Sequence, residues 1–167
     1  MKLSFYTFIF IFLFSFYSIN TYSQTNKLSM YDSTGTMPPF NYYFLDGTAF
    51  RPNDISKKRN TVMIYFKNDC PYCNKEANII SENSVDFNSI DFIFISREDS
   101  ATVNGFAVAH KLDKLTNVLF VQDKDKSYYN YCTAQYTPSI HVYNKHKKLI
   151  LYTQGTMKKE QIEKFIK

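Results

Sequence analysis

Residues 64–76 read IYFKNDCPYCNKE, a stretch in which Cys70 and Cys73 are separated by Pro-Tyr. An apolar, β-branched run over residues 62–66 precedes the cysteines, and a run that can form a helix follows them. The order predicts a strand buried on both faces, a tight turn and a helix whose first turn carries a Cys-x-x-Cys pair. Pro71 suits the first helical position, because the N–H that proline lacks has no intrahelical partner there.

The start of a helix is a chemically special place for Cys70. Its sulfur faces unpaired N–H groups and the positive end of the helix dipole, and both favour thiolate over thiol. The thiolate is the nucleophile in disulfide exchange. Cys73 comes one turn later on the same face, within disulfide reach. Cys70 can therefore attack a disulfide, and Cys73 can resolve the mixed intermediate.

The residues leave two other interpretations of the pair open, a structural disulfide and half of a zinc site. A structural zinc site normally has four ligands, often as two close pairs. The strand–helix context favours the redox pair, so we predict no resident metal and no cofactor besides a redox-active Cys70–Cys73 disulfide. The remaining candidate ligands, none of which forms a paired motif, are Cys132, His110, His141 and His146.

The first 23 residues predict a secretory signal peptide. A basic start at Lys2, a Phe-rich apolar run and the small-x-small sequence Thr21-Tyr22-Ser23 fit such a peptide, with cleavage before Gln24. The alternative is an uncleaved membrane anchor over residues 3–19, although this run is short for a span of about 20 residues. We therefore expect an exported protein of the periplasm or cell envelope.

Export affects the predicted partners. Outside the cytosol a cysteine pair is oxidised unless something keeps it reduced, so a reductase there would need an electron donor in the membrane. The formal net charge is +5, but the lysines are dispersed and no aromatic-and-basic interleaving forms a nucleic-acid-binding motif. We expect protein thiols and disulfides as substrates, no nucleic acid, and a monomer or weak dimer.

The remaining pattern predicts one α/β domain over residues 38–167, preceded by a flexible polar leader over residues 24–37. Strands alternate with helices and end in an antiparallel pair, which gives a mixed sheet covered on both faces. In chain order we expect a hairpin over 40–50 around Asp46-Gly47, a strand over 61–66, a helix to about 83, a strand over 90–96, a helix over 100–112, a strand over 118–121, a helix over 126–135, strands over 136–143 and 148–153, and a helix over 157–167.

This order of elements resembles the thioredoxin fold. The N-terminal β-hairpin extension and the insertion between the two halves resemble the exported, TlpA-like thiol-disulfide oxidoreductases. The resemblance covers roughly residues 38–167. It is carried by Cys70-Pro71-Tyr72-Cys73-x-Lys75-Glu76 and by Thr137-Pro138. It implies a central mixed sheet flanked by helices and an enzyme that exchanges thiols and disulfides.

The resemblance also implies roles for individual residues. Cys70 would be the exposed nucleophile and Cys73 the buried resolving thiol, with Pro71 and Tyr72 beside them at the substrate-binding surface. Pro138 would be a cis-proline that faces the disulfide, and Thr137 would offer backbone hydrogen bonds to an extended substrate. The alternative for Pro138 is an ordinary trans proline that opens an edge strand.

Glu76 has two interpretations. It matches a glutamate that TlpA-like reductases place beside the active site, where it can accept or deliver a proton. Alternatively it is a solvated first-turn glutamate favoured by the helix dipole, pointing away from the apolar face formed by Ala77, Ile79 and Ile80. Thioredoxins carry a buried aspartate where this chain has Ile64 and a tryptophan where it has Asp69, so Glu76 is the only acid candidate.

The function implied is the reduction of protein disulfides by an exported oxidoreductase. The alternatives are a disulfide oxidant or isomerase, and a non-catalytic module of thioredoxin fold with a structural disulfide or a copper-handling role. Two further features stay open. Cys132 is a buried small hydrophobe or a third redox thiol. A tyrosine cluster packs loops or lines a substrate groove; its members are Tyr128, Tyr129, Tyr131 and Tyr136.

Overall fold

The computed structural model describes residues 34–132 and 134–166. The predicted signal peptide lies outside the described residues, as does most of the predicted leader. Seven strands form one sheet. They are β1 (Tyr42–Phe44), β2 (Ala49–Phe50), β3 (Asn60–Tyr65), β4 (Ile90–Ser96), β5 (Val118–Gln122), β6 (Ser139–Tyr143) and β7 (Leu149–Gln154).

The sheet has the strand order β2-β1-β5-β4-β3-β6-β7. β3, β4 and β5 are parallel neighbours, while β1 pairs antiparallel with β5, and β6 and β7 continue antiparallel from β3. Ile64 lies opposite both Phe94 of β4 and Ile140 of β6, so β3 occupies the interior of the sheet. Its apolar run lacks alternation because both of its faces are buried.

The helices cover this sheet, and their first member carries the cysteine pair. They are α1 (Pro71–Glu82), α2 (Ser100–Ala109), α3 (Ser127–Tyr131) and α4 (Lys159–Ile162), with 3₁₀ turns at Pro52–Asp54 and Glu163–Phe165. The predicted mixed α/β sheet of thioredoxin type is confirmed, including the hairpin, in which Tyr42 pairs with Phe50 and Gly47 has a φ of 87°.

Two hydrophobic clusters lie on opposite faces of the sheet. Val62 and Ile64 of β3 point into the cluster that also holds both active-site cysteines. Met63 and Tyr65 alternate with them and point into the second cluster. An aromatic group packs the first face beneath the cysteine loop, with centroid distances of 4.5 to 6.5 Å among Phe66, Phe94, Phe106 and Phe120.

Several predicted boundaries are wrong, each for a local reason. α2 ends at Ala109 rather than Leu112, because Lys111 adopts a positive φ of 59° that turns the chain. α3 ends at Tyr131 rather than Gln135, because Cys132 is extended. The predicted strand from Tyr136 begins only at Ser139.

The two ends of the domain also differ from the prediction. The last helix starts at Lys159 rather than Met157, because Lys158 is extended, and it gives way to a 3₁₀ turn after Ile162. At the other end, Thr36 forms an antiparallel bridge with Lys148, and the Met37 N–H donates to the carbonyl of Lys147 at 3.2 Å. The last residues of the predicted leader are therefore attached to the sheet.

Candidate active site

The link between β3 and α1 places Cys70 at the head of the helix. The Cys70 N–H donates to the Lys67 carbonyl at 3.3 Å, which closes the turn after the strand. Cys70 is the N-cap residue of α1 in an extended conformation, and Pro71 follows at the start of the helix, as predicted. The Cys73 N–H donates to the Cys70 sulfur at 3.2 Å. This sulfur is therefore aimed at a helix N-terminus, the environment that stabilises a thiolate.

The two cysteines are joined in a disulfide and differ in exposure. Their Cα atoms are 5.2 Å apart. Cys73 is completely buried, whereas Cys70 retains 9% of its accessible surface. Pro71 and Tyr72 flank the disulfide and are exposed, Tyr72 by 64%. Because Cys73 has no exposed surface and Cys70 keeps a small exposed fraction, Cys70 is the better placed of the two for an incoming thiol or disulfide.

The Thr137–Pro138 loop lies directly against Cys70. The peptide bond is cis, which confirms the predicted isomer and rules out the trans alternative. The carbonyl oxygen of Thr137 is 3.3 Å from the Cys70 sulfur. Pro138 is buried, and its own carbonyl accepts a hydrogen bond from the Gly155 N–H at 2.9 Å. The loop is therefore held between the sheet and the disulfide.

Glu76 is completely buried one turn after Cys73, so the solvated-glutamate interpretation is wrong. Its Oε2 accepts a hydrogen bond of 2.7 Å from the Met157 N–H. Its Oε1 has no hydrogen-bond partner among the described residues. Burial raises the pKa of this carboxyl to about 8, although the bond from Met157 opposes the shift.

This arrangement can transfer protons near neutral pH. A carboxyl with a pKa of about 8 changes its protonation state close to the pH at which thiols also ionise. Cys73 and Glu76 are three residues apart in α1, so they lie on neighbouring positions of one helical face. The site thus combines a slightly exposed cysteine, a completely buried cysteine and a buried carboxyl.

Cys132 lies away from this group. It is buried in the cluster on the other face of the sheet, with Tyr65 and Tyr128, whereas Cys70 and Cys73 belong to the first cluster. This placement favours a packing role over a third redox thiol. The described part of the chain contains no group of three or more His, Cys, Asp or Glu side chains arranged to hold a metal ion.

The histidines that were considered as metal ligands contact other side chains. His110, at the end of α2, has its Nδ1 2.7 Å from Oδ1 of Asn78 and its Nε2 3.3 Å from Oδ1 of Asn74. His141 is buried in β6 and is hydrogen-bonded to the hydroxyl of Tyr128. Both contacts give these histidines a packing role in the fold.

Sequence reasoning missed the segment that joins the parts of the site. In residues 155–157, the Gly155 N–H reaches the carbonyl of Pro138, and the Met157 N–H reaches Glu76. Between them, the Thr156 hydroxyl donates to the Tyr72 carbonyl at 3.4 Å. These are mostly backbone contacts, which leave little trace in residue type; Gly155, with a φ of 83°, is the one signal.

Comparisons with known proteins agree with this geometry. A family described as a thioredoxin-like domain matches residues 52–167. Among solved structures, a secreted disulfide oxidoreductase of Mycobacterium tuberculosis, described as homologous to E. coli DsbE, has a TM-score of 0.63 and 20% identity, over 77% of this chain and 94% of its own. StoA from Bacillus subtilis has a TM-score of 0.59 and 17% identity, over 80% and 99% of the two chains.

A thioredoxin-like protein from Aeropyrum pernix shares the same architecture, with a TM-score of 0.61 and 12% identity over 77% of this chain and 87% of that one. At these identities the solved structures establish a common fold. No curated protein matches the sequence.

Proposed function

Because the chain belongs to the thioredoxin-like domain family, we propose that it is an exported thiol-disulfide oxidoreductase that reduces protein disulfides through Cys70 and Cys73. The observation that carries the proposal is the meeting of three features at one point. The accessible Cys70 sulfur caps α1, it lies 3.3 Å from the carbonyl of Thr137 beside the cis-proline, and a buried carboxyl follows the resolving cysteine by one turn.

The proposed reaction transfers two electrons from the reduced protein to the substrate. The Cys70 thiolate attacks one sulfur of the substrate disulfide, which forms a mixed disulfide and releases the first substrate sulfur as a thiolate. Cys73 then gives its proton to the Glu76 carboxylate and attacks the Cys70 sulfur. This step releases the second substrate thiolate and leaves the Cys70–Cys73 disulfide of the structure. Solvent and Glu76 supply the protons that the substrate thiolates take up.

The buried Glu76 supports the resolving step of this reaction. In the resolving step a thiol with no exposed surface must lose a proton, and a neighbouring side chain inside the protein can accept it. A carboxyl whose pKa is about 8 is ionised in part at neutral pH and is a strong enough base to assist. The hydrogen bond from the Met157 N–H stabilises the carboxylate form of Glu76 before it takes up the proton.

The proposed compartment rests on the Lys2 start, the apolar run and the small residues before Gln24. In an oxidising compartment the Cys70–Cys73 disulfide must be reduced again after each turnover, so the proposed partner is an electron donor in the membrane. Within residues 34–132 and 134–166, no helix has both the length and the apolar character needed to span a bilayer.

The reduction potential of the pair tests this function. We would equilibrate the protein in glutathione and dithiothreitol buffers and measure the reduced fraction. A potential near or below that of thioredoxin, about −270 mV, would support a reductase, whereas a value near that of DsbA, about −120 mV, would indicate an oxidant. A pair that never equilibrates would be a structural disulfide, which would contradict the proposal.

A further inference from the structure

A groove that the proposed mechanism does not use opens beside the active site. It has a volume of about 350 Å³ and lies between the ends of β3 and β4, α3 and the loop that precedes the cis-proline. We call it the tyrosine groove; the lining residues that matter here are Tyr65, Lys67, Arg97, Tyr129, Tyr136 and Thr137.

The tyrosine groove adjoins the reactive sulfur. Thr137 lines the groove, and its carbonyl oxygen lies 3.3 Å from the Cys70 sulfur. On the other side, Lys67 lines the groove, and its carbonyl accepts a hydrogen bond of 3.3 Å from the Cys70 N–H. A polypeptide that places its disulfide at Cys70 must therefore direct neighbouring residues into or past the groove.

Two cations line the tyrosine groove, and no carboxylate among the described residues does. Lys67 and Arg97 are both exposed. Neither forms an ion pair with a carboxylate in the described part of the chain. The Arg97 guanidinium contacts the hydroxyl of Tyr65 at the groove floor, which orients it without neutralising its charge.

The carboxylates of Glu98, Asp123 and Asp69 bind other groups or are not part of the groove lining. Glu98 accepts hydrogen bonds from the Asn68 N–H at 2.9 Å and from the hydroxyl of Ser96 at 3.3 Å. Asp123 is buried and caps α3 through the Ser127 N–H at 2.7 Å. Asp69 is exposed in the cysteine loop but is not part of the groove lining. None of these three carboxylates lines the groove, so Lys67 and Arg97 have no counter-ion among its described lining residues.

Exposed phenols complete the lining. Tyr136 and Tyr129 keep 65% and 50% of their surface in solvent, an unusual amount for large aromatic side chains. Each phenol offers an O–H donor at the end of a rigid, flat apolar ring. Cations and hydroxyl donors around one cavity form a surface that complements a carboxylate on an extended chain.

We propose that the tyrosine groove binds an acidic side chain of the polypeptide substrate, so that the protein prefers disulfides flanked by aspartate or glutamate. Because an extended chain rises about 3.3 Å per residue, the carboxylate would lie about one to three residues from the attacked cysteine. This proposal rests on the proposed function, since it names the substrate class of the same site.

The test compares three model disulfides with the reduced protein. Two peptides contain the same intramolecular disulfide flanked either by glutamate or by lysine, and the third compound is bis(2-hydroxyethyl) disulfide, which is small and neutral. In each reaction Cys70 and Cys73 lose two electrons and become a disulfide, and the compound becomes a dithiol or two thiols. We expect the glutamate peptide to react several-fold faster than the lysine peptide. This difference in rate should become smaller at high salt, because salt screens exposed charges.

Variants separate the groove from the overall positive charge. Arg97→Gln and Lys67→Gln should each slow the reaction with the glutamate peptide about threefold to fivefold. Neither substitution should change the rate at which the neutral disulfide is reduced. Lys75→Gln is the matched control, because Lys75 is an exposed cation of α1 outside the groove. Equal rates for the two peptides, or an equal effect of all three variants, would overturn the proposal.

A second measurement is independent of thiol chemistry. A glutamate peptide with serine in place of both cysteines is titrated into the oxidised protein, and the backbone amide resonances are followed. Shifts that cluster at Lys67, Arg97 and Tyr136 support the groove, and their absence overturns it. If these shifts occur while none of the three disulfides is reduced, the reductase function fails and the binding site stands.

Discussion

The backbone N–H of Met157 donates a 2.7 Å hydrogen bond to Oε2 of Glu76, and this contact joins the C-terminal segment to the helix that carries the cysteines. It satisfies one oxygen of a completely buried carboxyl and leaves the other, Oε1, without a partner in the described part of the chain. Such a group is costly to ionise where it stands. Its position one turn from Cys73 fits the proposed role in moving a proton.

We first predict that Glu76→Gln slows the resolving step and spares the first attack. Glutamine keeps an oxygen for the Met157 N–H but cannot accept the Cys73 proton, so release of the second substrate thiolate should slow by about 100-fold, the typical contribution of a general base. Rapid acid quenching would follow the decay of the mixed disulfide. The alkylation rate of Cys70 serves as the control and should change little.

The pH dependence of the same step gives a sharper test. In the native protein the carboxylate becomes the dominant form as the pH rises through about 8, so the rate of resolution should increase over this range. The Glu76→Gln protein should lack this increase and keep only the dependence due to the thiols. Parallel pH profiles for the two proteins would exclude Glu76 as the proton acceptor.

Cys70 and Cys73 should act in different steps of the reaction. Cys70→Ala should abolish the reduction of insulin disulfides, because the buried Cys73 cannot be reached by a substrate. Cys73→Ala should still attack and should accumulate as a mixed disulfide, visible by mass spectrometry. Unchanged insulin turnover by the Cys70→Ala protein would contradict the enzyme function.

Much of this architecture is predictable from the sequence because it depends on repeated local patterns. The apolar run before Cys70 lacks alternation, and the structure places β3 between β4 and β6 with both of its faces buried in the two hydrophobic clusters. Asp46-Gly47 predicts the hairpin turn, and Gly47 adopts the positive φ that such a turn requires. The cis Thr137–Pro138 bond came from the resemblance alone, since residue type does not determine the isomer.

Two features that local patterns could not reveal depend on contacts distant in sequence, whereas the helix boundaries that were predicted wrongly have local causes. Helical periodicity places Glu76 off the apolar face, and only the approach of residues 155–157 to α1 shows that it is buried. The tyrosine groove likewise combines the ends of two strands with α3, so no local pattern reveals that Lys67 and Arg97 share a cavity. Lys111 ends α2 early through a backbone conformation that lysine rarely adopts.

Cys132→Ala distinguishes packing from redox chemistry at the third cysteine. Cys132 is buried in the cluster on the sheet face opposite Cys70 and Cys73. The substitution should lower the free energy of unfolding by about 1 kcal/mol through lost contacts, while the reduction potential and insulin turnover stay unchanged. Urea unfolding and redox equilibration measure the two quantities. A shifted potential would instead indicate that the Cys132 thiol exchanges with the active-site pair.

The last prediction concerns stability and pH in the oxidised protein. Glu76 has a pKa of about 8 in the folded state, well above that of a glutamate in an unfolded chain, about 4.3. Between these values the native state binds more protons than the unfolded state, so the free energy of unfolding falls as the pH rises, with a limiting slope of about 1.4 kcal/mol per pH unit. Below about pH 4 both states are protonated, so the slope vanishes and the stabilisation from the raised pKa is fully present.

Glu76→Gln removes the ionisable group, so this fall should disappear. Compared with the native protein, the variant should gain stability between pH 5 and pH 8, by a few kcal/mol in total. Urea unfolding at both pH values measures the difference. Glu160→Gln, which removes the same charge from an exposed site on α4, is the control and should follow the native protein at both pH values. If Glu76→Gln also runs parallel to the native protein, the buried carboxyl is not protonated in the folded state, and the assignment of Glu76 as a poised proton acceptor fails with it.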